Sequence, residues 1–232
     1  MQPYFFPYLG YFQLISACDH FILLDEVQYI RHGWINRNRI LKPESSWQYI
    51  TVPLEKHSRE TRIIDIVPHR TDPWQQKILA QLRHYSKFAP FYGEAEQVVR
   101  QGLEKPFRNI TELNRNCAAA IFDYVGLPFQ YSISSNRSFD YRNVSDAGDW
   151  ALRISEQMNA TCYINPLGGT ELFDSEKFRQ SGIKLKFLKP VLPEYNQKRS
   201  SFENALSVID LLMFHSPEEL RQFFLTANLI DA

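Results

Sequence analysis

The sequence predicts an α/β fold: one domain with a mostly parallel, Rossmann-like sheet, an antiparallel hairpin insertion and a helical middle segment. Short apolar runs of strand length alternate with helical segments near both ends of the 232-residue chain, which is the pattern of parallel βαβ units. Two strand-like segments joined by a polar turn indicate the hairpin, and helical patterns fill residues from about 72 to 126. No linker or repeat divides the sequence, so residues 1–232 are predicted to form a single domain.

The first part of the chain is predicted to contain a helix, a buried strand and the hairpin. The helix is expected to start near Gly10, and the apolar run HFILLD, which ends at Asp25, is typical of a strand buried on both faces. A strand before Pro3 would complete a βαβ unit, but only Met1 and Gln2 are available for it, so it is expected to be very short. WINRNRIL and WQYITVPLE are the predicted hairpin strands around the turn KPESS, and TRIIDIVP is a candidate third strand.

Helices are predicted next, followed by a second alternation of strands and helices. The first helix covers residues 72–86 with Thr71 or Asp72 as its N-cap, and the helix NITELNRNCAAAIFDYVG ends at Gly126. Between them lies the helix FYGEAEQVVRQGL. PFQYSISS, TCYIN and IKLKFLKP are predicted strands, SDAGDWALRISEQMNA and DSEKFRQSG are predicted helices, and PLGGTEL is a predicted loop. The last segment predicts two helices hinged near Ser216.

Composition narrows the class of function. Lys plus Arg and Asp plus Glu both number 26, and a balanced charge argues against a nucleic-acid binder, which needs a positive excess. The three cysteines lie far apart without a CxxC pair, so a reducing, cytoplasmic location is predicted. No apolar run approaches the ~20 residues of a membrane span. The six histidines form no local ligand pair, and neither a metal nor a cofactor is predicted.

The opening stretch QPYFFPYLGY is the first candidate site. Gly10 at a helix start would expose backbone N–H groups that attract phosphate or carboxylate. The rings of Tyr4, Tyr8 and Tyr11 would stack on a ligand ring and donate hydrogen bonds, and Gln2 adds a polar side chain. The alternative interpretation is an aromatic plug beneath a helix.

The stretch LLDEVQYIRHGWINRNRI is the second candidate site. Asp25 ends a buried strand, where open α/β sheets place their ligands. Strand alternation puts Trp34, Asn36 and Asn38 on one face. Gln28 adds another amide, and Arg37 or Arg39 is expected to hold a phosphate through two hydrogen bonds. The alternative is a solvated hairpin with an N-cap Asp.

The C-terminal part contributes two further candidates. Tyr195 and Gln197 are loop polar residues, and Ser207 and Asp210 lie three positions apart within an apolar helix. Asp210 is a candidate base, although a buried structural hydrogen bond explains the same pattern. The glycine pair in YINPLGGTELFD predicts a loop that approaches a ligand closely, or a plain turn.

Taken in order, QPYFFPYLGYFQLI, FILLDEVQY, NRNRI, ITVPL, YSKFAPFY and LSVIDLL resemble the WbqC-like family over nearly the whole chain. Members of that family are bacterial, often encoded beside genes of O-antigen or other surface-polysaccharide synthesis, and a glycine-transferase role has been suggested from that location. The resemblance departs at Glu26, where the family often has Asp. It implies catalytic residues among Asp25, Asp210 and Tyr11, and substrate-binding residues Gln2, Tyr4, Gly10, Gln28, Trp34, Asn36, Arg37, Asn38, Tyr195 and Gln197.

The resulting hypothesis is a transferase of surface-polysaccharide synthesis that moves an aminoacyl, such as glycyl, or acyl group to a nucleotide-linked amino sugar. Asp25 or Asp210 would deprotonate the sugar amine. The partners would be a nucleotide sugar and an acyl or aminoacyl donor, with nucleic acid involved only if the donor is an aminoacyl-tRNA. A looser likeness of P-x-x-G-Y to class I nucleotidyltransferases, with Tyr11 in place of a histidine, supports a nucleotide-binding enzyme as one alternative. A non-catalytic binding module is the other, and the oligomeric state stays open.

Overall fold

The computed structural model describes residues 1–44, 46–142 and 144–232. It confirms the α/β class, since helices and strands alternate at both ends of the chain around a helical middle. The described helices are α1 Leu9–Ser16, α2 Trp74–Leu82, α3 Tyr92–Glu104, α4 Ile110–Val125, α5 Ala147–Gln157, α6 Ser175–Gln180, α7 Val208–Phe214 and α8 Pro217–Leu225. The described strands are β1 Phe21–Leu23, β2 Arg37–Leu41, β3 Trp47–Thr51, β4 Tyr131–Ile133, β5 Cys162–Pro166, β6 Lys184–Leu188 and β7 Leu229–Asp231.

The sheet departs from a strict Rossmann arrangement because the strands form three small sheets. β1 pairs with β4 in parallel, and β5 pairs with β6 in parallel while β7 adds to β6 in the antiparallel direction. β2 and β3 form the predicted hairpin. Strands of three to five residues offer too few ladder hydrogen bonds to join across one wide sheet. The predicted strand before Pro3 is absent from the described residues: Met1 has no regular structure, although its backbone hydrogen-bonds to those of Ile22 and Leu24 at 2.9 Å each.

Helix ends follow the sequence signals at some places and not at others. Asn109 caps α4 by accepting from the Glu112 amide, and Gly126 ends it at φ 66°, as predicted. The predicted N-cap of α2 is wrong: α2 starts at Trp74 after Pro73, and no side chain caps it. TRIIDIVP is not a strand, since Ile63–Asp65 forms a 3-10 turn. Leu167–Leu172 is a 3-10 helix where a loop was predicted, and β7 was not predicted.

Two groups of buried apolar side chains hold the elements together. The larger one joins α1, the hairpin, α2 to α4, α7 and α8, and contains aromatic stacks such as Phe12 on Phe224 at 4.8 Å between ring centroids. The smaller one, at α5, α6, β5 and β6, consists of Leu152, Phe178, Ile183, Leu185 and Phe187. In the described part of the chain, no helix is long and apolar enough to cross a bilayer.

Candidate functional site

The opening segment, residues 2–8, has no regular secondary structure, and other elements satisfy its backbone. The Asn38 amide on β2 donates to the carbonyls of Phe5 (3.0 Å) and Phe6 (2.9 Å). The hydroxyl of Ser207, the residue before α7, donates to the Phe6 carbonyl at 2.7 Å. These bonds hold Phe6 at φ 39°, a left-handed conformation that a bulky residue rarely adopts.

Two further side chains fix the start of this segment. The Asn114 amide on α4 donates to the carbonyls of Pro3 (3.0 Å) and Ile35 (2.8 Å). The Tyr11 hydroxyl donates to the Gln2 carbonyl at 2.7 Å. The opening segment is therefore a fixed part of the fold, whose conformation is set by residues distant in the sequence.

This conformation separates the aromatic side chains of the segment. Phe5 and Phe6 are fully buried in the core, whereas Tyr4, Tyr8 and Tyr11 line a cleft of about 280 Å³. The cleft is bounded by Met1, the opening segment, α1, β2 with the loop before it, the last residue of β5 and the loop before α7. Its lining residues are Met1, Tyr4, Pro7, Tyr8, Tyr11, Trp34, Asn38, Arg39, Pro166 and Ala205. Its size approaches the ~300–1,000 Å³ of small-molecule sites.

The tyrosines give the cleft hydrogen-bond donors. Burial raises the pKa of both Tyr4 and Tyr8 above the ordinary value, so both hydroxyls keep their protons at neutral pH. The Tyr11 ring lies 5.5 Å from that of Tyr4, and its own hydroxyl is already bound to the Gln2 carbonyl. Tyr4 and Tyr8 are thus the tyrosines that can donate to a ligand.

Gly10 packs against the side chain of Tyr8 at the start of α1. A Cβ at Gly10 would lie 2.6–2.7 Å from the ring and hydroxyl atoms of Tyr8. The glycine therefore leaves room for the Tyr8 ring beside α1. The predicted contact of Gly10 with a phosphate stays a prediction.

The structure separates the roles of Arg37 and Arg39. The Arg37 side chain donates to the backbone carbonyls of His32 and Gly33 and stacks on Tyr49, so it holds the turn before β2 and does not reach the cleft wall. Arg39 does line the cleft. Its Nη2 donates to the Ala205 carbonyl at 3.2 Å.

Among the predicted amides, Asn38 alone reaches the cleft wall, and both of its N–H groups are used by the opening segment. Asn36 accepts from the Tyr29 hydroxyl (2.8 Å) and donates to the Val52 carbonyl (2.9 Å). Gln28 is exposed and donates to the Arg59 carbonyl at 2.7 Å. These amides stabilise local backbone, and their predicted contacts with a substrate stay predictions.

Asp25 lies at the end of β1, as predicted, but away from the cleft wall. Its carboxylate accepts from the hydroxyls of Ser134 (3.0 Å) and Ser135 (2.9 Å), and from the Ser135 amide at 3.2 Å. The side chain is 1% exposed. Asp25 therefore fastens β1 to the residues that follow β4.

Asp210 lies in a second, separate buried network. Its carboxylate accepts from the hydroxyls of Tyr85 (2.5 Å) and Tyr195 and from the Gln197 amide (2.9 Å). Burial raises the pKa of Asp210, and the donated hydrogen bonds partly oppose that rise. Gln197 also bonds to the backbone of Glu203. The network thus anchors the irregular connection between β6 and α7, on which Ala205 borders the cleft.

The structure brings together Tyr4, Tyr11, Trp34 and Asn38 at one cleft and leaves Asp25 and Asp210 outside it. The sequence did not single out Ala205, and it pointed to Pro166 only as part of the glycine-pair stretch YINPLGGTELFD. Ala205 has φ 52°, and nothing in its local sequence announces that conformation.

The chemistry of the cleft wall is aromatic, amide and cationic. Its lining residues include neither a carboxylate nor an imidazole. Within residues 1–44, 46–142 and 144–232, no three His, Cys, Asp or Glu side chains come together as metal ligands would. Such a surface can stack rings, donate hydrogen bonds and attract an anion.

The fold and this cleft define an α/β protein with an aromatic cleft. The chain belongs to the WbqC-like protein family, whose model matches residues 2–222, and this confirms the resemblance found in its motifs. It is also similar to a Mycobacterium tuberculosis (strain ATCC 25618 / H37Rv) protein described as uncharacterized, which is 30% identical over 227 residues covering 95% of this chain and 96% of that protein. No solved structure matches the chain.

Proposed function

We propose that this protein is a transferase that binds a nucleotide-linked amino sugar in the aromatic cleft and transfers an aminoacyl or acyl group to it. The observation that carries the proposal is the cleft itself, where Tyr4, Tyr8 and Trp34 surround a space beside one cation, Arg39. Rings of bases and sugars stack on such aromatic walls. Membership of the WbqC-like family supports an enzymatic role at a coarser level.

The size of the cleft limits what it holds. At about 280 Å³ it is larger than a cavity of ~150 Å³ that accommodates benzene. It therefore accepts one ring-bearing group, either the sugar or the base, while the rest of the sugar nucleotide extends towards the exposed edge of Trp34. The acyl donor would approach the same edge.

The proposed transfer forms an amide bond. The sugar amine attacks the carbonyl carbon of the activated donor, the bond from that carbon to the carrier oxygen or sulfur breaks, and the amine proton ends on the leaving atom. The hydroxyls of Tyr4 and Tyr8 donate hydrogen bonds to nitrogen or oxygen atoms of the reacting groups. In this proposal Asp25 and Asp210 hold the fold, and the positioning of the two substrates supplies the rate enhancement.

Binding tests the proposal first. A uridine diphosphate amino sugar is titrated by calorimetry into the wild type, Trp34→Ala and Trp150→Ala. Trp34 lines the cleft, whereas Trp150 lies on α5 and its ring packs at a tilt against that of Tyr141, with 4.4 Å between the ring centroids. We expect Trp34→Ala to weaken binding by roughly 5- to 100-fold, because a stacked base or ring is worth ~1–3 kcal/mol, and Trp150→Ala to bind as the wild type does.

Turnover then tests the reaction. Labelled glycyl and acetyl donors are incubated with the amino sugar nucleotide, and amide product is followed by mass spectrometry. Amide product that forms with the wild type and is reduced with Trp34→Ala supports the transferase. The absence of any sugar-nucleotide binding would remove the proposal.

A non-catalytic binding module is the second candidate. The cleft wall favours it because it carries no carboxylate or imidazole to act as an acid or base near neutral pH. Sugar-nucleotide binding without turnover of any of the donors would favour this candidate.

A nucleotidyltransferase is less well supported, since the Tyr11 hydroxyl is bound to the Gln2 carbonyl and the Tyr8 ring packs against Gly10. Pyrophosphate release from ATP or CTP in the presence of Mg²⁺ would reverse that ranking.

A further inference from the structure

We propose that Arg39 is the oxyanion receptor of the cleft and that it binds a phosphoryl group of the ligand, such as the diphosphate of a sugar nucleotide. The inference rests on the proposed function, because it names the part of the substrate that Arg39 recognises. Four features of Arg39 support it: its place on the cleft wall, its orientation between two tryptophans, its unpaired donors and its uncompensated charge.

The guanidinium of Arg39 is held between two aromatic rings. Its Cζ atom lies 5.6 Å from the centre of the Trp34 ring and 5.2 Å from that of Trp47, both within the ~6 Å range of cation–π attraction. Trp34 lies on the loop before β2, and Trp47 is the first residue of β3. The two rings restrict the guanidinium, so that less side-chain entropy is lost when a ligand binds.

Most of the N–H donors of Arg39 have no acceptor among residues 1–44, 46–142 and 144–232. Only Nη2 hydrogen-bonds to a described residue, through the Ala205 carbonyl. The Nε atom is buried and has no hydrogen-bond partner in the described parts of the chain. An unpaired buried donor is unfavourable by ~1–3 kcal/mol, so a side-chain movement on ligand binding that gives Nε an acceptor adds to the affinity.

The positive charge of Arg39 also has no carboxylate partner among the described residues. The cleft wall that they form contains no carboxylate, and within them the guanidinium donates to a backbone carbonyl alone. Arg37, two residues earlier on the same strand, contrasts with it, because two backbone carbonyls already accept from the Arg37 side chain. The cleft therefore offers an anion one available guanidinium, whose planar fork matches two oxygens of a phosphate.

A phosphoryl group fits this site better than a carboxylate does. Every nucleotide-linked sugar carries at least one phosphoryl group, whereas an activated acyl or aminoacyl donor has already lost its free carboxylate. With the ring-bearing group between Tyr4, Tyr8 and Trp34, the adjoining phosphate reaches Arg39 on the same wall. Arg39 would then set the orientation in which the sugar enters the cleft.

Tryptophan fluorescence provides the test, because Trp34 and Trp47 contact the proposed receptor. The probes are pyrophosphate, acetate, UMP, uridine and the uridine diphosphate amino sugar. The variants are Arg39→Met, Arg39→Lys, Arg37→Met and Arg31→Met, and Trp34→Phe identifies the reporting ring. Arg31 is an exposed arginine on the loop before β2. Arg31→Met therefore removes the same positive charge as Arg39→Met does. Circular dichroism and Tm confirm that each variant is folded.

We expect pyrophosphate and UMP to change the emission saturably, and acetate and uridine to bind far more weakly. Arg39→Met should weaken pyrophosphate binding by on the order of 10- to 100-fold, the effect of losing hydrogen bonds to a charged group. Arg39→Lys should lie between Arg39→Met and the wild type, since it keeps the charge and loses the planar fork. Arg31→Met should stay within about twofold of the wild type. Arg37→Met should weaken pyrophosphate binding less than Arg39→Met does, since Arg37 acts only by holding the turn before β2.

Three results would overturn the inference: Arg39→Met binding pyrophosphate like the wild type, acetate binding as tightly as pyrophosphate, or no wild-type response at about 10 mM pyrophosphate, which corresponds to negligible affinity. The two proposals fail separately. Pyrophosphate binding that depends on Arg39, without binding of the sugar nucleotide, keeps the receptor and removes the proposed function. Sugar-nucleotide binding that Arg39→Met leaves unchanged does the reverse.

Discussion

At the scale of single residues, Gly10 and Tyr8 form one unit of the cleft wall. The Tyr8 ring occupies the place where a Cβ on Gly10 would lie, at 2.6–2.7 Å. Gly93 offers a direct comparison, since it is also the second residue of a helix and no atom lies within 4 Å of its added Cβ. The two glycines therefore share a helical position and differ in what surrounds them.

We predict opposite outcomes for the two Gly→Ala substitutions. Gly93→Ala should stabilise the protein by about 0.5–1 kcal/mol, because alanine loses less backbone entropy in a helix. Gly10→Ala should give no gain or a loss, because the Tyr8 ring must move. The measurement is the free energy of unfolding in urea for each variant.

The same pair of substitutions in a Tyr8→Ala background separates the effect of helix propensity from the steric effect of the Tyr8 ring. Without the Tyr8 ring, Gly10→Ala should gain about as much stability as Gly93→Ala does. Equal gains for both glycines in the presence of Tyr8 would show that the ring does not restrict Gly10.

At the scale of elements, β2 holds the opening segment through a single side chain. The Asn38 amide donates to two consecutive carbonyls, those of Phe5 and Phe6, and its own carbonyl accepts from the Arg39 amide at 2.8 Å. The residue is 4% exposed. The hairpin and the opening segment therefore depend on one buried group with all of its hydrogen bonds made.

We predict that Asn38→Asp destabilises the protein by roughly 2–4 kcal/mol, because it removes both donors and places an anion beside two carbonyls. Asn204→Asp is the matched control: the Asn204 side chain is exposed and accepts from the Ala205 amide at 2.7 Å, which a carboxylate also does. Unfolding in urea measures both variants. A decrease in the free energy of unfolding that is smaller for Asn38→Asp than for Asn204→Asp would contradict the role assigned to Asn38.

At the scale of the whole molecule, an ion pair joins α5 and α6, the two helices of the smaller apolar cluster. Asp149 on α5 accepts from Lys177 on α6 at 2.8 Å, and from the hydroxyl and amide of Ser145. The Asp149 side chain is 4% exposed. The hydrogen bond from Lys177, followed by those from Ser145, holds the pKa of Asp149 well below its ordinary value of 3.8.

The sign of the resulting pH dependence follows from this shift. Because the pKa of Asp149 is lower in the folded state, its ionised form stabilises the fold above pH 3.8, and that stability is lost as the pH falls further. Asp210 acts in the opposite direction: its pKa is raised by burial, so the stability tied to its protonated form is lost as the pH rises. Acid destabilisation is thus expected from Asp149 and not from Asp210.

We predict that Lys177→Met lowers the free energy of unfolding at pH 7 and that the difference from the wild type shrinks as the pH falls below 3.8. Lys56→Met, at an exposed loop lysine, should show a difference that does not vary with pH. Urea unfolding at several pH values measures both, and hydrogen exchange should locate the effect in α5 and α6. The difference shrinks below the pKa that Asp149 keeps in the folded variant, which the Ser145 hydrogen bonds still lower, so it is followed to the lowest pH at which the wild type is folded. A difference at pH 7 no larger than that of Lys56→Met would contradict the assignment.

Sequence reasoning predicted most elements because their signals are local. The Asn109 cap and the Gly126 stop lie within a few residues of the hydrogen bonds that they make. The mostly parallel, Rossmann-like sheet was predicted less accurately than the single elements, since the pairing partners of β1 and β5 are distant segments. The single-domain prediction for residues 1–232 and the predicted site roles stay predictions.

The sequence by itself determined the α/β class, the hairpin, the family and the importance of the aromatic opening segment. Those properties follow from local patterns and from ordered motifs. The tertiary structure alone decided that Tyr4, Tyr8 and Trp34 share a cleft, that Arg39 and not Arg37 faces it, and that Asp25 and Asp210 lie elsewhere. The direction of a side chain depends on the hydrogen bonds it makes with residues far away in the chain, as Arg37 makes with the preceding turn and Asp210 with Tyr85, and no local pattern encodes those partners.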